Sequence, residues 1–208
     1  MRFEHTWTGN WENAFHGLRH PMESYAKSDS EFANYGSFVS LGPNDLDLAQ
    51  RMIAAGTPND KFLRQIPISV DITAPLYWWK EMDTYKVGTT ANSTSTMHKL
   101  ASTPITIDCF ETDDYDRDAA NGFYETVLIP HLESLRQKYN ETKDKRYWKE
   151  LIRWLPEGWL QTRTWTANYA VLRNIIHWRT GHKLTEWHQF IDWCHTLPYA
   201  DELLFYAQ

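Results

Sequence analysis

The sequence predicts an α+β fold: a single domain, residues 1–208, of helices packed on a small, mostly antiparallel sheet. Three observations predict it. The 208 residues fall between one and two domains at roughly 150 residues each, and no internal repeat or low-complexity linker marks a boundary. Strand-like segments are few. The helical signals gather in the last third of the chain instead of alternating with strands, which separates α+β from α/β.

The elements follow in order. Gly42-Pro43-Asn44-Asp45 opens a helix, since proline and acids suit a first turn, and Leu46, Leu48, Ala49, Met52 and Ile53 supply its apolar face up to Gly56. Ile66 to Thr73, IPISVDIT, alternates apolar and polar residues with β-branched types and reads as a strand. Pro75 then suits the start of a short helix, Leu76 to Met82, carrying Trp78 and Trp79. Gly88 to Thr96 is rich in Gly, Thr, Ser and Asn and reads as a loop. Ile105 to Phe110 is a candidate second strand. The acids Asp113, Asp114, Asp116 and Asp118 are expected to cap a long helix reaching about Tyr139, where negative charge favours the helix dipole. Further helices are expected over Asp144 to Trp154, from an N-cap at Thr166 through Trp178, and from Thr185 to about Thr196; Pro156, Gly181 and Pro198 stop them.

Composition narrows the function. Hydrophobic residues are 42% and charged residues 23% of the chain, which excludes disorder as the main state. Apolar runs are broken by Lys80, Arg173 or His177 before reaching a spanning length of about 18 residues, so no membrane association is expected. The polar start, Met1-Arg2-Phe3-Glu4-His5, has no apolar leader core. Net charge is −6, which argues against polymeric nucleic acid while leaving room for a small anion. Cys109 and Cys194 lack a CxxC spacing and read as free thiols of a cytoplasmic protein. Eleven Trp, eleven Tyr and nine Phe suit either a ring-built core and interface or a pocket that stacks a planar ligand. Composition does not separate the two.

His188, Asp192 and His195 recur on one helical face, as do His16 and His20. Apolar Trp187, Phe190, Ile191 and Cys194 occupy the opposite face, so the stripe reads as solvated and no metal is expected. The sequence holds no HExxH, P-loop, GxGxxG or GxSxG. The tract from Lys80 to Lys99 is more informative. Lys80, Lys86 and Lys99 alternate there with hydroxyls of Thr89, Thr90, Ser93, Thr94, Ser95 and Thr96 and the amide of Asn92, a mixture suited to phosphate oxygens or to a plain surface loop. Asn168 and Arg179, close to three helical turns apart, share a stripe with Leu172 and Ile175 and must find partners where buried.

These stretches carry a resemblance. A helix ending at Gly56, Lys61-Phe62-Leu63-Arg64 before a strand, Ala74-Pro75-Leu76-Tyr77-Trp78-Trp79, a Ser/Asn loop, Leu155-Pro156 and Thr166-Ala167-Asn168 follow the order seen in flavin-dependent thymidylate synthases. The resemblance covers about residues 35 to 195. It implies a homotetramer whose active sites lie between subunits. There FAD sits beside dUMP, and a one-carbon unit passes to C5 of the uracil, the reaction of a flavin-dependent methyltransferase with NADPH as reductant. It also implies that Asn168, Asn174 and Arg179 match polar FAD and nucleotide positions, and that Ser95 and Asn92 match the signature loop. Glu81 falls where that family has a nucleotide-contacting glutamine.

The departures cluster at cations. The family's Arg-His-Arg signature falls on Thr84-Tyr85-Lys86, and Arg64 stands for a flavin-pocket histidine. Ala170 and Met97 stand for arginines, as does Ile152, with Arg153 one place away. Removing a charge-assisted hydrogen bond costs about 1.5–3 kcal/mol. The sequence therefore leads to a nucleotide-binding protein with Lys86, Asn92, Ser95, Arg153, Asn168, Asn174, Arg179, Glu81, Tyr85 and Arg64 as polar contacts and Trp78, Trp79 and Tyr85 as candidate stacking rings. No catalytic residue is assigned. Three functions fit: a divergent flavoenzyme of pyrimidine nucleotides, a non-catalytic nucleotide binder or sequestering protein, and an oligomeric interaction module without ligand.

Overall fold

A computed structural model describes residues 1–33 and 38–208; positions 35–37 of the resemblance lie outside them. The chain begins with β1 (Arg2–Thr8), α1 (Trp11–Arg19), β2 (Glu31–Ala33), β3 (Phe38–Ser40) and α2 (Pro43–Ala54). It continues with β4 (Pro67–Pro75), α3 (Leu76–Met82), β5 (Thr90–Ser93), α4 (Ile129–Thr142) and α5 (Lys145–Arg153). It ends with β6 (Leu160–Asn168), α6 (Tyr169–Arg179) and α7 (Thr185–His195). Helices mix with antiparallel sheet, so the α+β class holds. Four strands form one sheet in the order β1-β4-β6-β5, and β2 pairs antiparallel with β3, Phe32 opposite Val39.

Several elements stand where expected, for local reasons. Pro43 opens α2, Pro75 precedes α3, and Asp144 caps α5 by accepting the backbone N–H of Arg146 at 2.9 Å. Others correct the sequence reading. Within the expected loop Gly88–Thr96, residues Thr90–Ser93 form β5. The expected strand Ile105–Phe110 is instead a 3₁₀ turn, Ile107–Cys109, with Phe110 making an isolated bridge to Trp159. Ile105 and Phe110 are both buried, which strand-like alternation mimics. The acidic cluster caps no helix directly: Asp116 accepts the N–H of Ala119 in a turn, and the helix starts later as a π-turn, Tyr124–Leu128, leading into α4. Thr166 lies inside β6, and α6 takes Asn168 as its N-cap.

The chain clusters into two compact units. The first comprises Met1–Ile72, Tyr85–Ala91 and Thr164–Gln208. Its core is built of rings: Trp11 meets Tyr169 edge-on at 5.1 Å, Phe3 stacks on Trp193 at 5.1 Å, and Trp187 and Phe190 are fully buried. A buried ion pair also holds it. Asp45, with no solvent exposure, accepts Nε of Arg19 at 2.6 Å, the hydroxyls of Ser28 and Ser30, and the N–H groups of Asp29 and Ser30. Asp29 in turn accepts the N–H groups of Asn44 and Asp45 in the first turn of α2, a cap that Gly42, the preceding residue, has no side chain to give. A Cβ at Gly42 would fall 2.2 Å from that carboxyl carbon, so the position requires glycine.

The second unit comprises Thr73–Thr84 and Asn92–Arg163. Leu100, Ala101, Ile105, Phe110, Leu132, Leu135 and Leu151 make one core there, under α4 and α5. Glu133 on α4 accepts Nε of Arg136 at 2.7 Å and the N–H of Ile105, tying the 101–105 segment down. No described helix is long and apolar enough to cross a membrane.

Candidate functional site

In the first unit α6 carries a polar residue at each end. At its head Asn168 is extended (φ −146°, ψ 169°) and its Oδ1 accepts the N–H of Val171 at 3.1 Å, leaving Nδ2 as a donor. The segment Tyr85–Ala91 packs here. Gly88 adopts a positive φ of 74°, and a Cβ there would lie 3.3 Å from Val171 and 3.4 Å from Nδ2 of Asn168. Only glycine meets both the backbone and the packing demand. Thr89 Oγ1 donates to the Tyr85 carbonyl at 2.6 Å and closes the turn.

At the tail of α6, Arg179 is set among rings. Its Nε donates to the hydroxyl of Tyr85 at 2.9 Å, and its guanidinium lies 4.4 Å from the Trp187 ring centroid and 5.4 Å from that of Tyr85. Trp187 is itself fixed, buried edge-on to Phe190 at 5.7 Å. The hydrogen bond and the two rings fix the orientation of the Arg179 guanidinium. Lys86, next to Tyr85, is exposed. Arg64 is exposed on the 3₁₀ segment Asn59–Gln65, which packs on α6, and Asn174 is exposed on the α6 face away from buried Leu172, Ile175 and Ile176.

The remaining candidates belong to the second unit. Ser95 Oγ accepts the N–H groups of Met97 (3.1 Å) and His98 (2.9 Å) and lies 3.0 Å from His98 Nδ1, so it orders the turn that carries them. A cavity of about 260 Å³ opens beside this turn, lined by Met97, His98, Ala101, Tyr139, Lys145 and Trp148. Arg153 forms an exposed pair with Glu150 at 2.8 Å, an interaction that competes weakly with any ligand. Glu81 is half-buried in α3, and Asn92 is exposed in β5.

One expectation is overturned. Trp78 and Trp79 present no face to a ligand: both are buried and meet edge-on at 4.9 Å. Trp79 Nε1 donates to the Gln161 carbonyl at 2.9 Å, and the guanidinium of Arg163 covers its ring at 4.3 Å. Their role is packing. Sequence reasoning missed Trp187 and His98; Trp187 follows Arg179 by eight positions across a glycine turn, the local signal for that pair.

Other reactive groups are spoken for. Burial pushes the Cys194 thiol well up, and burial first, then Cys194, pushes up the hydroxyl of Tyr169, which donates to the Pro198 carbonyl at 2.8 Å. Neither suits a nucleophile. His188 contacts the His182 carbonyl and His195 pairs with Asp201. Among the described residues no group of three His, Cys, Asp or Glu is placed to hold a metal ion.

No protein-family model matches the sequence, and no curated protein matches it. Solved structures do. The flavin-dependent thymidylate synthase ThyX of Helicobacter pylori, complexed with FAD and dUMP, superposes with a TM-score of 0.68 at 16% identity. That match covers 99% of this chain and 98% of the other. A second structure of the same enzyme with FAD and dUMP gives 0.70 at 17% identity, covering 99% and 97%. The chain thus has the fold of the flavin-dependent thymidylate synthases.

Proposed function

We propose that this protein is a divergent relative of the flavin-dependent thymidylate synthases that binds a pyrimidine nucleotide, with FAD as its cofactor. The observation that carries this reading is the fold, which matches along nearly its whole length that of an enzyme solved with FAD and dUMP; the oriented Arg179, on the helix that Asn168 caps, supports it. In this reading Lys86, Arg64, Asn168 Nδ2 and Arg179 supply the donors that would hold the phosphates of FAD or of the nucleotide. Asn174, Ser95, Asn92, Glu81 and Arg153 complete the proposed polar contacts. Flavin, when bound, supplies the redox chemistry for passing a one-carbon unit to C5 of dUMP or a related nucleotide. The proposed assembly is a cytoplasmic homotetramer with its sites between subunits.

A specific observation favours a second reading, binding without turnover. The resemblance sets Tyr85 at the central position of the Arg-His-Arg signature, and its hydroxyl is engaged by Arg179. Thr84, Met97 and Ile152 supply no cation where the resemblance expects one. A non-catalytic or sequestering protein needs only the binding groups that remain.

Purified protein is expected to be yellow if FAD is retained. Addition of dUMP or FAD at about 100 times its Kd is expected to stabilise the fold by about 2.7 kcal/mol, a rise in melting temperature of roughly 5–10 °C for a chain of this size. Lys86→Ala, an exposed position, is expected to reduce that rise without changing the melting of the free protein. Absence of any shift with either ligand would sink the proposal and leave a ligand-free interaction module. Complementation of a thymidine auxotroph separates enzyme from binder, and failure there with an intact dUMP shift is the result the missing cations lead us to expect.

A further inference from the structure

Three rings meet on the surface of the first unit. His16 lies in the last turn of α1, and His20 follows its end where the backbone is still helical (φ −54°, ψ −45°). The two imidazoles therefore stand one turn apart on the exposed side of the helix. Their centroids are 4.9 Å apart and their planes cross at 80°. Two imidazoles bound to one ion at about 2.0–2.1 Å, at a square or tetrahedral angle, have centroids roughly 4.5–5.2 Å apart. The observed spacing falls inside that range.

Sequence spacing alone reads this pair as solvated; the structure adds Tyr25. Its hydroxyl lies 2.8 Å from His20 Nδ1, which leaves Nε2 for a ligand bond, and its ring stacks on His16 at 4.8 Å and 21°. One residue thus sets both imidazoles, as outer partners orient metal-ligating histidines. Tyr25 is fastened in turn. It opens the 3₁₀ turn Tyr25–Lys27, and buried Arg19 donates to the carbonyls of Ser24 (3.3 Å) and Lys27 (3.0 Å) on either side of it. The same guanidinium pairs with Asp45, so the buried ion pair anchors the exposed rings.

We propose that His16 and His20 form a two-histidine site for a divalent transition-metal ion, copper(II) before nickel(II), with water in the remaining positions. Imidazole suits both ions, two adjacent nitrogens with oxygen ligands meet their tetragonal preference, and copper binds such ligands more tightly than nickel. A structural zinc centre needs four protein ligands, which this pair does not supply. None of the three residues is among the proposed nucleotide and flavin contacts, so the two readings stand or fall separately.

Calorimetric titration of the untagged full chain with copper(II), nickel(II) and magnesium chlorides tests it, with copper EPR reading the ligand nitrogens. One tight copper per chain is expected, about tenfold or more above nickel, with a two-nitrogen hyperfine pattern, and magnesium is not expected to bind. His16→Gln and His20→Gln are each expected to weaken copper by about tenfold or more, since either breaks the chelate, and to leave a one-nitrogen spectrum. Tyr25→Ala removes the stack and the hydroxyl and is expected to cost about tenfold while both nitrogens stay in the spectrum. His188→Gln, on α7, is expected to bind copper as the parent does. All four positions are exposed, so the metal-free variants are expected to melt as the parent does. The proposal is overturned if His16→Gln, His20→Gln or Tyr25→Ala binds copper as the parent does, if His188→Gln weakens it, or if magnesium binds as tightly as copper.

Discussion

Asp45→Ala is expected to lower the unfolding free energy by about 3–5 kcal/mol, because it leaves the Arg19 guanidinium, only 4% exposed, as an uncompensated buried charge. For a domain with about 5–15 kcal/mol in total, that is enough to unfold much of it near body temperature. Urea titration reads the loss directly. The double replacement Arg19→Met with Asp45→Leu is expected to be more stable than Asp45→Ala, since apolar isosteres remove both charges together. Full additivity of the two single effects would show that the pair is not coupled. The pair also sets a pH dependence. Burial by itself would raise the Asp45 carboxyl, but hydrogen bonds from Ser30, Ser28, Arg19 and the Asp29 backbone outweigh it and hold it below the usual carboxylate range. Its folded value is thus below the unfolded one of about 3.9, so its contribution is complete above that pH and drains away as the solution is acidified through the lower folded value. Melting curves from pH 6 to pH 3 are expected to fall more steeply for the parent than for Asp45→Asn.

Trp187→Ala is expected to act twice. It removes a fully buried indole from among Phe190, Tyr85 and His182, at a cost of about 3–5 kcal/mol for a ring of that size. It also strips one of the two ring faces from Arg179, so the thermal shift given by dUMP or FAD should shrink beyond what lower stability explains. Trp187→Phe keeps a ring of smaller area and is expected to recover most of the stability and part of the ligand shift. A stable Trp187→Ala that binds nucleotide like the parent would remove Arg179 from the proposed site.

What the sequence revealed follows the range of the forces involved. The starts of α2, α3 and α5 depend on Pro43, Pro75 and Asp144, each acting within one turn, and all three helices are found where those residues place them. Strand β6 was hidden because Leu160–Asn168 alternates buried Gln161, Trp165 and Ala167 with threonines, and a threonine before an apolar run also looks like a helix cap. The amide that does cap α6 stands two residues later, once the strand has ended. At the candidate site, Asn168 and Arg179 were legible as polar residues on an apolar helix. Their surroundings were not. Tyr85 lies 94 positions from Arg179, and nothing local in either segment encodes their hydrogen bond. Trp78 and Trp79 misled for the opposite reason: paired tryptophans look the same in sequence whether they face a ligand or, as here, the underside of Arg163.

Arg173 lies midway along α6, and its Nη1 collects the carbonyls of Leu203, Leu204 and Tyr206, while Gln208 donates back to the Arg173 carbonyl. Those bonds act as a key in a shaft. They stop the helix from rolling about its own axis, and a roll of even a few degrees would swing Asn168 and Arg179 in the same rotational sense at opposite ends. In the proposed function, changes that displace the carbonyls of Leu203 or Leu204 are therefore expected to alter ligand binding from a distance, and revertants of a weakened Asn168 or Arg179 variant are expected to surface in that terminal turn.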